Sequence, residues 1–583
     1  MKSERAFDFL FNQLERQPRH DCLCEKSGNR WRILSTQATV DRVNGLSRGL
    51  LGLGLQRGDH VAIAADNCVE WVCLDLALQQ IGAISVPLYP TCTPEDARYI
   101  LKHAEVKLAF AGSLPLWRKM AEALDGCCPL YAFVDLPDTP GMEALLHIGA
   151  GVPEQALANC RDQVGSDDVF TIIYTSGTTG RAKGVMLSHR NVVSTVESVT
   201  EHTGLPFGRC RALSFLPLSH IFERAGVLYY LNTATAVYFS TVEGLSSALA
   251  EIRPHTFSAV PRVLERVYDK LIAKAATLSP LRRRIYRWAL ALAEDFQPGA
   301  DRGIGYALKF ALAKKLVFSK WHAAMGGELA WVNVGSAALQ PRLARLFWAA
   351  GIVVSEGYGM TEASPVISAN PFNAQRVRIG TVGIAMPGVE IAFAEDGEIL
   401  ARGPNIMVGY YKDPEQTADV LRDGWLHTGD IGVIEDGYLR ITDRKKEMFK
   451  TSNGKYIAPQ RIENKLKESA FIDQVMIVGD GQRCPGALIV PLFEKLREWC
   501  LEQNIAYSCD REMALHPRIV ELIDREIRRF NAHFGHWEHV RKFALLPEPW
   551  CVERGELAPT LKLRRKVITQ HCHHVIEGMF AAN

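Results

Sequence analysis

The sequence predicts an α/β protein: a large N-terminal α/β body with mainly parallel sheets and a β-rich subdomain, then a small C-terminal α+β domain. Three observations carry this expectation. Helix-like and strand-like runs alternate from residue 36 to 109 and again from 212 to 355, the pattern of βαβ units. Beyond Gly383 the texture changes to short β segments separated by glycine turns. At Asp443-Arg444-Lys445-Lys446 a dense polar junction precedes a new αβ pattern, which puts the domains at 1–442 and 443–583.

Taken in order, an amphipathic run ends at residues 52–58, followed by an apolar strand at 61–65, a helix through 71–80 and a strand at 84–88. Gly52-Leu53-Gly54-Leu55-Gln56-Arg57-Gly58 superficially resembles a dinucleotide fingerprint. Its last glycine comes one residue too late, and it precedes a strand instead of opening a helix. We read these glycines as a helix stop and turn. Strands recur at 212–216, 236–239, 257–260, 331–334 and 352–355.

Between about 262 and 325 lies a basic helical insert, with thirteen Lys/Arg from Arg262 to Lys320 against five acids. Solvated helix faces explain it most simply; attraction to an anionic membrane surface is the competing expectation. The β segments at 389–394, 398–401, 433–434 and 438–441 form the β-rich part, and the αβ pattern of the last domain runs through Ile462, 475–478 and 488–490.

The 583 residues carry 67 Lys+Arg against 65 Asp+Glu, 47% hydrophobic and 23% charged residues, which excludes disordered and disulfide-scaffold classes. The net charge of +2 supplies no global field for nucleic acid, so no nucleic-acid partner is expected. Fourteen cysteines show no paired C-x2-C spacing and read as reduced thiols of a cytoplasmic protein. Glu4 and Asp8 interrupt any signal-peptide core, and no run of about 18 apolar residues follows, so no membrane span is expected. His571-Cys572-His573-His574 and the spaced His533, His536 and His539 lack a complete ligand set, and no metal is assigned to them.

The strongest chemical signal is the β-branched strand Val169-Phe170-Thr171-Ile172-Ile173-Tyr174 running into Thr175-Ser176-Gly177-Thr178-Thr179-Gly180-Arg181-Ala182-Lys183-Gly184. Its glycines turn backbone N–H groups outward, its hydroxyls add donors and Lys183 supplies a point charge, so the loop suits a polyphosphate. It is not a Walker A loop, because no Gly-Lys pair stands five and six positions after Gly177.

This loop is similar to the phosphate-binding signature of the adenylate-forming (AMP-binding) enzyme superfamily. Four further segments resemble the superfamily's motifs in its order: Glu356-Gly357-Tyr358-Gly359-Met360-Thr361-Glu362, Gly424-Trp425-Leu426-His427-Thr428-Gly429-Asp430, Asp443-Arg444-Lys445-Lys446-Glu447 and Pro559-Thr560-Leu561-Lys562. Leu216-Pro217-Leu218-Ser219-His220-Ile221-Phe222-Glu223-Arg224 and the basic insert resemble the branch of bacterial long-chain fatty acyl-CoA synthetases. Ala182 stands where the family often has Pro, and Leu561 where Gly is commoner.

The resemblance implies ATP-dependent conversion of a fatty acid, long-chain as the leading reading, to acyl-AMP, then transfer to CoA. It implies ATP, Mg2+ and CoA as cofactors or co-substrates. Thr175, Ser176, Gly177, Thr178, Thr179, Gly180 and Lys183 would hold phosphates; Thr361 would donate to the α-phosphate; Glu362 would ligate Mg2+. Tyr358 would stack on adenine beside Gly335, Ser336 and Ala337, with Glu356 and Gly357 in the same motif. Asp430 would accept the ribose hydroxyls, with Arg444 nearby. Lys562 would bridge carboxylate and α-phosphate, and the C-terminal domain would swing as a mobile cap about Lys446. His220 would close the carboxylate pocket or simply pack. Transfer to a separate carrier protein, a medium-chain or aryl acid, and a nucleotide-binding regulatory protein remain as alternatives. Oligomeric state stays open, with a homodimer among the options, as does peripheral attachment at the inner face of a membrane.

Overall fold

The computed structural model describes residues 3–28, 30–134, 136, 139–175, 182–558 and 562–581, the side chain of Ala276 aside. The chain divides into two compact units. The first comprises residues 1–392, 400–427 and 435–439; the second comprises 393–399, 428–434 and 440–583.

The first unit is built on two mainly parallel sheets. In the seven-stranded sheet, Gly409–Tyr410, Lys183–Ser188, Val169–Thr175, Ile84–Leu88, His60–Ala64, Leu108–Ala111 and Leu130–Ala132 lie side by side in that order. The last five run parallel, and Lys183–Ser188 and Gly409–Tyr410 close one edge antiparallel. Val169–Thr175 is central and buried along most of its length, as its run of β-branched and aromatic residues requires.

In the nine-stranded sheet a parallel centre runs from Leu23–Ser27 through Ala236–Phe239, Arg211–Ser214, Thr256–Ala259 and Trp331–Val334 to Val353–Gly359. Antiparallel strands Arg30–Leu34, Val366–Ala369 and Ile384–Ala385 finish its edges. Five further strands, Glu390–Phe393, Glu398–Arg402, Leu421–Arg422, Trp425–Glu435 and Tyr438–Arg444, form the β-rich part.

The helix Thr36–Gly52 is capped by Ser35, whose hydroxyl accepts from the Ala38 N–H at 3.1 Å. Gly49 on it is obligatory, because a Cβ there would fall 2.2 Å from the Leu145 carbonyl of the helix Met142–Ala150. After it, Gly54 and Gly58 adopt φ of +84° and +85°, the turn geometry expected of that glycine run. The expected helix at 71–80 starts earlier, at Val69, because Glu25 accepts the Val69 N–H at 2.8 Å.

The second unit packs helices Pro459–Leu466 and Pro517–Asn531 on the sheet Ile472–Val478, Gly486–Pro491 and Lys542–Leu545. Ile462, Ile477, Ile489, Ile523 and Ile527 make its core. Near the start of this unit a small hairpin forms, in which Phe449–Lys450 pairs with Tyr456–Ile457. Gly454, at φ +74°, makes the turn that periodicity alone does not reveal. All fourteen cysteines are free thiols. Among the described residues no helix is long and apolar enough to cross a membrane.

Candidate functional site

The strand Val169–Thr175 delivers the candidate phosphate loop. Thr175 ends it half-buried, whereas Ser176, Gly177, Thr178, Thr179 and Gly180 lie outside the described residues. The strand is anchored from below by a charge network. Arg224 donates through Nε to Asp75 Oδ2 at 2.9 Å, through Nη1 to Thr171 Oγ1 at 2.7 Å and through Nη2 to Ser85 Oγ at 2.9 Å. Arg224 and Asp75 are both almost fully buried, and burial pushes the Asp75 carboxyl up against the opposing pull of Arg224. A buried guanidinium with this many partners holds its neighbours in one geometry.

Lys183 opens the strand Lys183–Ser188 with its Nζ over the Tyr410 ring, 5.1 Å from the centroid, and donating to Gln416 Oε1. The Tyr410 hydroxyl donates to Glu362 Oε1 at 2.9 Å. One aromatic ring thus links the loop lysine to the acid of the second motif. Backbone pairing fixes this arrangement: Tyr410 sits opposite Val185, and the Met407 N–H donates to the Glu362 carbonyl at 2.9 Å. Asn405 adds two bonds of 3.0 Å to the Ala363 and Val366 carbonyls. Sequence reasoning missed Asn405, Tyr410 and Gln416; the only local signal is Gly409 before two tyrosines, a turn residue leading into an aromatic pair.

Thr361 and Glu362 are buried in the short turn Thr361–Ala363. Upstream, Gly357 and Tyr358 lie on Val353–Gly359, with Tyr358 buried. Gly359 admits no side chain, because a Cβ would meet the Pro365 carbonyl. Glu356 is buried, its Oε2 accepts from the Leu339 N–H at 3.3 Å, and burial pushes its carboxyl up to about 8. Gly335, Ser336 and Ala337 follow the strand Trp331–Val334, Ser336 at φ +70°. The Phe222 ring stands against Gly335, 3.3 Å from where a Cβ would be. His220 is the N-cap of the helix Ile221–Asn232, its Nδ1 accepting from the Phe222 N–H at 3.1 Å. Next to it is a second residue the sequence did not single out. Glu223 is buried with neither carboxylate oxygen hydrogen-bonded among the described residues, and desolvation pushes it up to about 8.

In the second unit, Asp430 is buried on Trp425–Glu435 and pairs through Oδ1 with Arg444 Nε at 2.9 Å. Asp443 next to it is buried with Oδ2 unpartnered among the described residues. Desolvation pushes it up to about 7, with Glu447 and Glu463 adding to the rise. Arg565 spans those two acids, Nε to Glu447 Oε2 at 2.9 Å and Nη2 to Glu463 Oε2 at 2.7 Å. Lys446 is exposed, and so is Lys562, whose carbonyl accepts from the Ala558 N–H at 2.8 Å. Arg565, three residues beyond Lys562, therefore ties the lysine segment to the polar junction.

A metal-compatible cluster also exists at His573, His574 and Glu577, the only one among the described residues. It is exposed and has one acid to two histidines. This is the geometry of a solvated helix face.

Two family descriptions match in order: AMP-binding enzyme over residues 10–411 and AMP-binding enzyme C-terminal domain over 447–583. The chain is 34% identical over 561 residues to the long-chain-fatty-acid–CoA ligase FadD15 of Mycobacterium bovis, covering 94% of this chain and 92% of that protein. It is 31% identical over 595 residues to human long-chain-fatty-acid–CoA ligase 6, covering 94% and 82%. In fold it is similar to ATP-bound MatB of Rhodopseudomonas palustris, with a TM-score of 0.72, 23% identity and coverage of 98% and 99%. A strand-delivered loop, Lys183 and Glu362 joined through Tyr410, and two consecutive family matches over nearly the whole chain lead to one conclusion: this chain belongs to the AMP-binding, adenylate-forming enzyme family.

Proposed function

We propose that this enzyme activates a fatty acid, a long-chain acid by preference, with ATP and passes the acyl group to CoA. The reading is supported by relatives named long-chain-fatty-acid–CoA ligases along almost the full chain. The observation that carries it is the placement of Lys183 and Glu362 on either side of Tyr410 at the base of the loop strand.

A free carboxylate is a poor acyl donor because its leaving group would be oxide. In the first step its oxygen bonds to the α-phosphorus of ATP, the bond from that phosphorus to the bridging oxygen breaks, and pyrophosphate leaves. The barrier is chiefly repulsion between anions, so the site must supply fixed cations and donors. Thr175, Ser176, Gly177, Thr178, Thr179, Gly180 and Lys183 hold the β/γ-phosphates in this scheme, and Thr361 donates to the α-phosphate.

Glu362 offers a carboxylate held in place by Tyr410, a hard oxygen donor that fits Mg2+; the ion, when bound, neutralises phosphate charge. Tyr358 stacks on adenine along Gly335, Ser336 and Ala337. Asp430 takes the ribose hydroxyls while Arg444 steadies its carboxylate. Lys562 bridges the attacking carboxylate and the α-phosphate. In the second step the CoA thiol gives up its proton to solvent, its sulfur bonds to the acyl carbon, the bond from that carbon to the phosphate oxygen breaks, and AMP departs. Residues 443–583 rotate about Lys446 between the steps, taking Lys562 away and excluding water from the anhydride.

The fourteen unpaired thiols accord with a reducing, cytoplasmic compartment. A peripheral position at a membrane surface, through the basic stretch at about 262–325, accords with so apolar a substrate.

AMP release measured across carboxylates from acetate to oleate, with and without CoA, tests the reading. Turnover that rises with chain length and requires CoA supports it. Turnover only with a phosphopantetheine carrier protein replaces CoA as acceptor, and no turnover with any acid overturns the enzymatic reading.

A further inference from the structure

The helix Pro94–His103 ends against the strand Val169–Thr175. Thr93 caps its start, the hydroxyl accepting from the Asp96 N–H at 3.1 Å. Tyr99 and His103, four residues apart, share one face of it and stack with ring centres 5.3 Å apart. Three neighbouring strands meet that face. Tyr174 lies opposite Gly184, and Tyr411 follows Tyr410 in register, its N–H donating to the Gly184 carbonyl at 2.7 Å. Position 184 must be glycine for the Tyr174 ring to seat, because a Cβ there would fall 2.7 Å from Ile172 Cγ2 and 3.2 Å from Tyr174 Cζ.

His103 joins the two tyrosines. Its Nδ1 lies 2.7 Å from the Tyr174 hydroxyl, and its ring meets Tyr174 and Tyr411 edge-on, with centres 5.8 and 5.7 Å away. Burial and the Lys412 ammonium hold the imidazole below its ordinary range, which favours the neutral ring as acceptor of the phenol proton. Lys412 also donates to the His103 carbonyl at 3.1 Å and pairs with Glu105 at 2.8 Å, so the segment after Gly409–Tyr410 is tied to the same helix end. The next pair in the ladder beyond Tyr174 and Gly184 is Thr175 and Lys183, the residues that bracket the candidate phosphate loop. Groups that serve a charged ligand must be held to within about 0.5 Å, and side chains behind them do that holding.

We infer that His103 is a positioning residue for triphosphate binding: through Tyr174 and Tyr411 it sets the spacing of Thr175 and Lys183 without touching the nucleotide. The inference rests on the reading of that loop as the seat of the β/γ-phosphates.

Calorimetric affinities of the full chain for ATP and for AMP test it, with AMP, which lacks those two phosphates, as the internal control. Tyr174→Phe removes one oxygen and keeps the packed ring; His103→Leu removes its partner. Each should weaken ATP about five-fold or more and leave AMP within about two-fold. The double variant should be no weaker than either single one, because both delete the same contact. His103→Asn, whose amide stands where Nδ1 does, should recover most of the loss seen with leucine. ATP affinity unchanged in both single variants, AMP weakened as much as ATP, or no recovery with asparagine would each overturn the assignment. A parent chain that binds ATP yet turns over no acid would remove the adenylation reading and leave this one standing; a parent that binds no ATP would end both.

Discussion

Tyr410 is the residue that turns two distant motifs into one arrangement. Tyr410→Phe keeps the ring beneath Lys183 and removes only the donor to Glu362. A hydrogen bond to a charged group contributes about 1.5–3 kcal/mol, so adenylation should fall about ten-fold or more and recover in part as Mg2+ is raised; pyrophosphate exchange against magnesium concentration measures this. Lys562→Ala should abolish acyl-AMP formation while sparing thioester formation from supplied acyl-AMP, and an equal loss of both would remove the proposed division of labour.

Glu223 has a different signature. Its folded carboxyl titrates near 8, against about 4.5 in an unfolded chain, so protonation is retained on folding and lost on unfolding across that interval. The resulting penalty is absent below about pH 4.5, grows as pH rises and levels off above about 8. Glu223→Gln should therefore gain melting temperature relative to the parent between pH 5 and 8, by a margin that widens with pH. A constant offset at all pH values would show that burial does not set this titration.

Among the elements, the segment that carries Lys562 is tied to the polar junction by the Arg565 side chain. Arg565→Met leaves Glu463 buried without its cation and should cost the second unit about 3 kcal/mol or more, seen in denaturant unfolding. The same change should lower the adenylation rate more than the affinity for ATP, because it acts on the position of Lys562 and not on the nucleotide contacts. Lys446→Pro, which restricts φ at the proposed pivot, should alter the ratio of the two half-reaction rates; unchanged rates in both steps would dismiss the hinge.

The elements that the sequence announced are those with strong local chemistry. The β-branched strand Val169–Thr175 and the turn glycines Gly54 and Gly58 are visible as patterns because their cause is local. The Phe449–Lys450 hairpin, the placement of Tyr410 and the Arg565 bridge depend on residues tens to hundreds of positions apart, and no periodicity encodes them.

Across the whole molecule, the expectation of parallel sheets in a large body and an α+β C-terminal part follows from alternation, and both sheets of the first unit bear it out. Five ordered motifs made the family legible before any geometry. The exposure of Ile304, Leu308 and Leu312 was not legible in the basic stretch around them, since composition reports charge but not which face of a helix is left outward. His220 shows a local use that its position in the motif does not announce: its Nδ1 caps the helix Ile221–Asn232 by accepting the Phe222 N–H.

The buried pair Arg224 and Asp75 has an implication for how this sequence can drift. Replacing one partner strands an uncompensated ion in the interior, whereas exchanging both for apolar residues of similar volume avoids that penalty. A combinatorial library at the two sites should consequently yield functional clones that keep both ions or neither and almost none that keep one, so an ancestral lineage crossing from one state to the other would need both codons to change nearly at once.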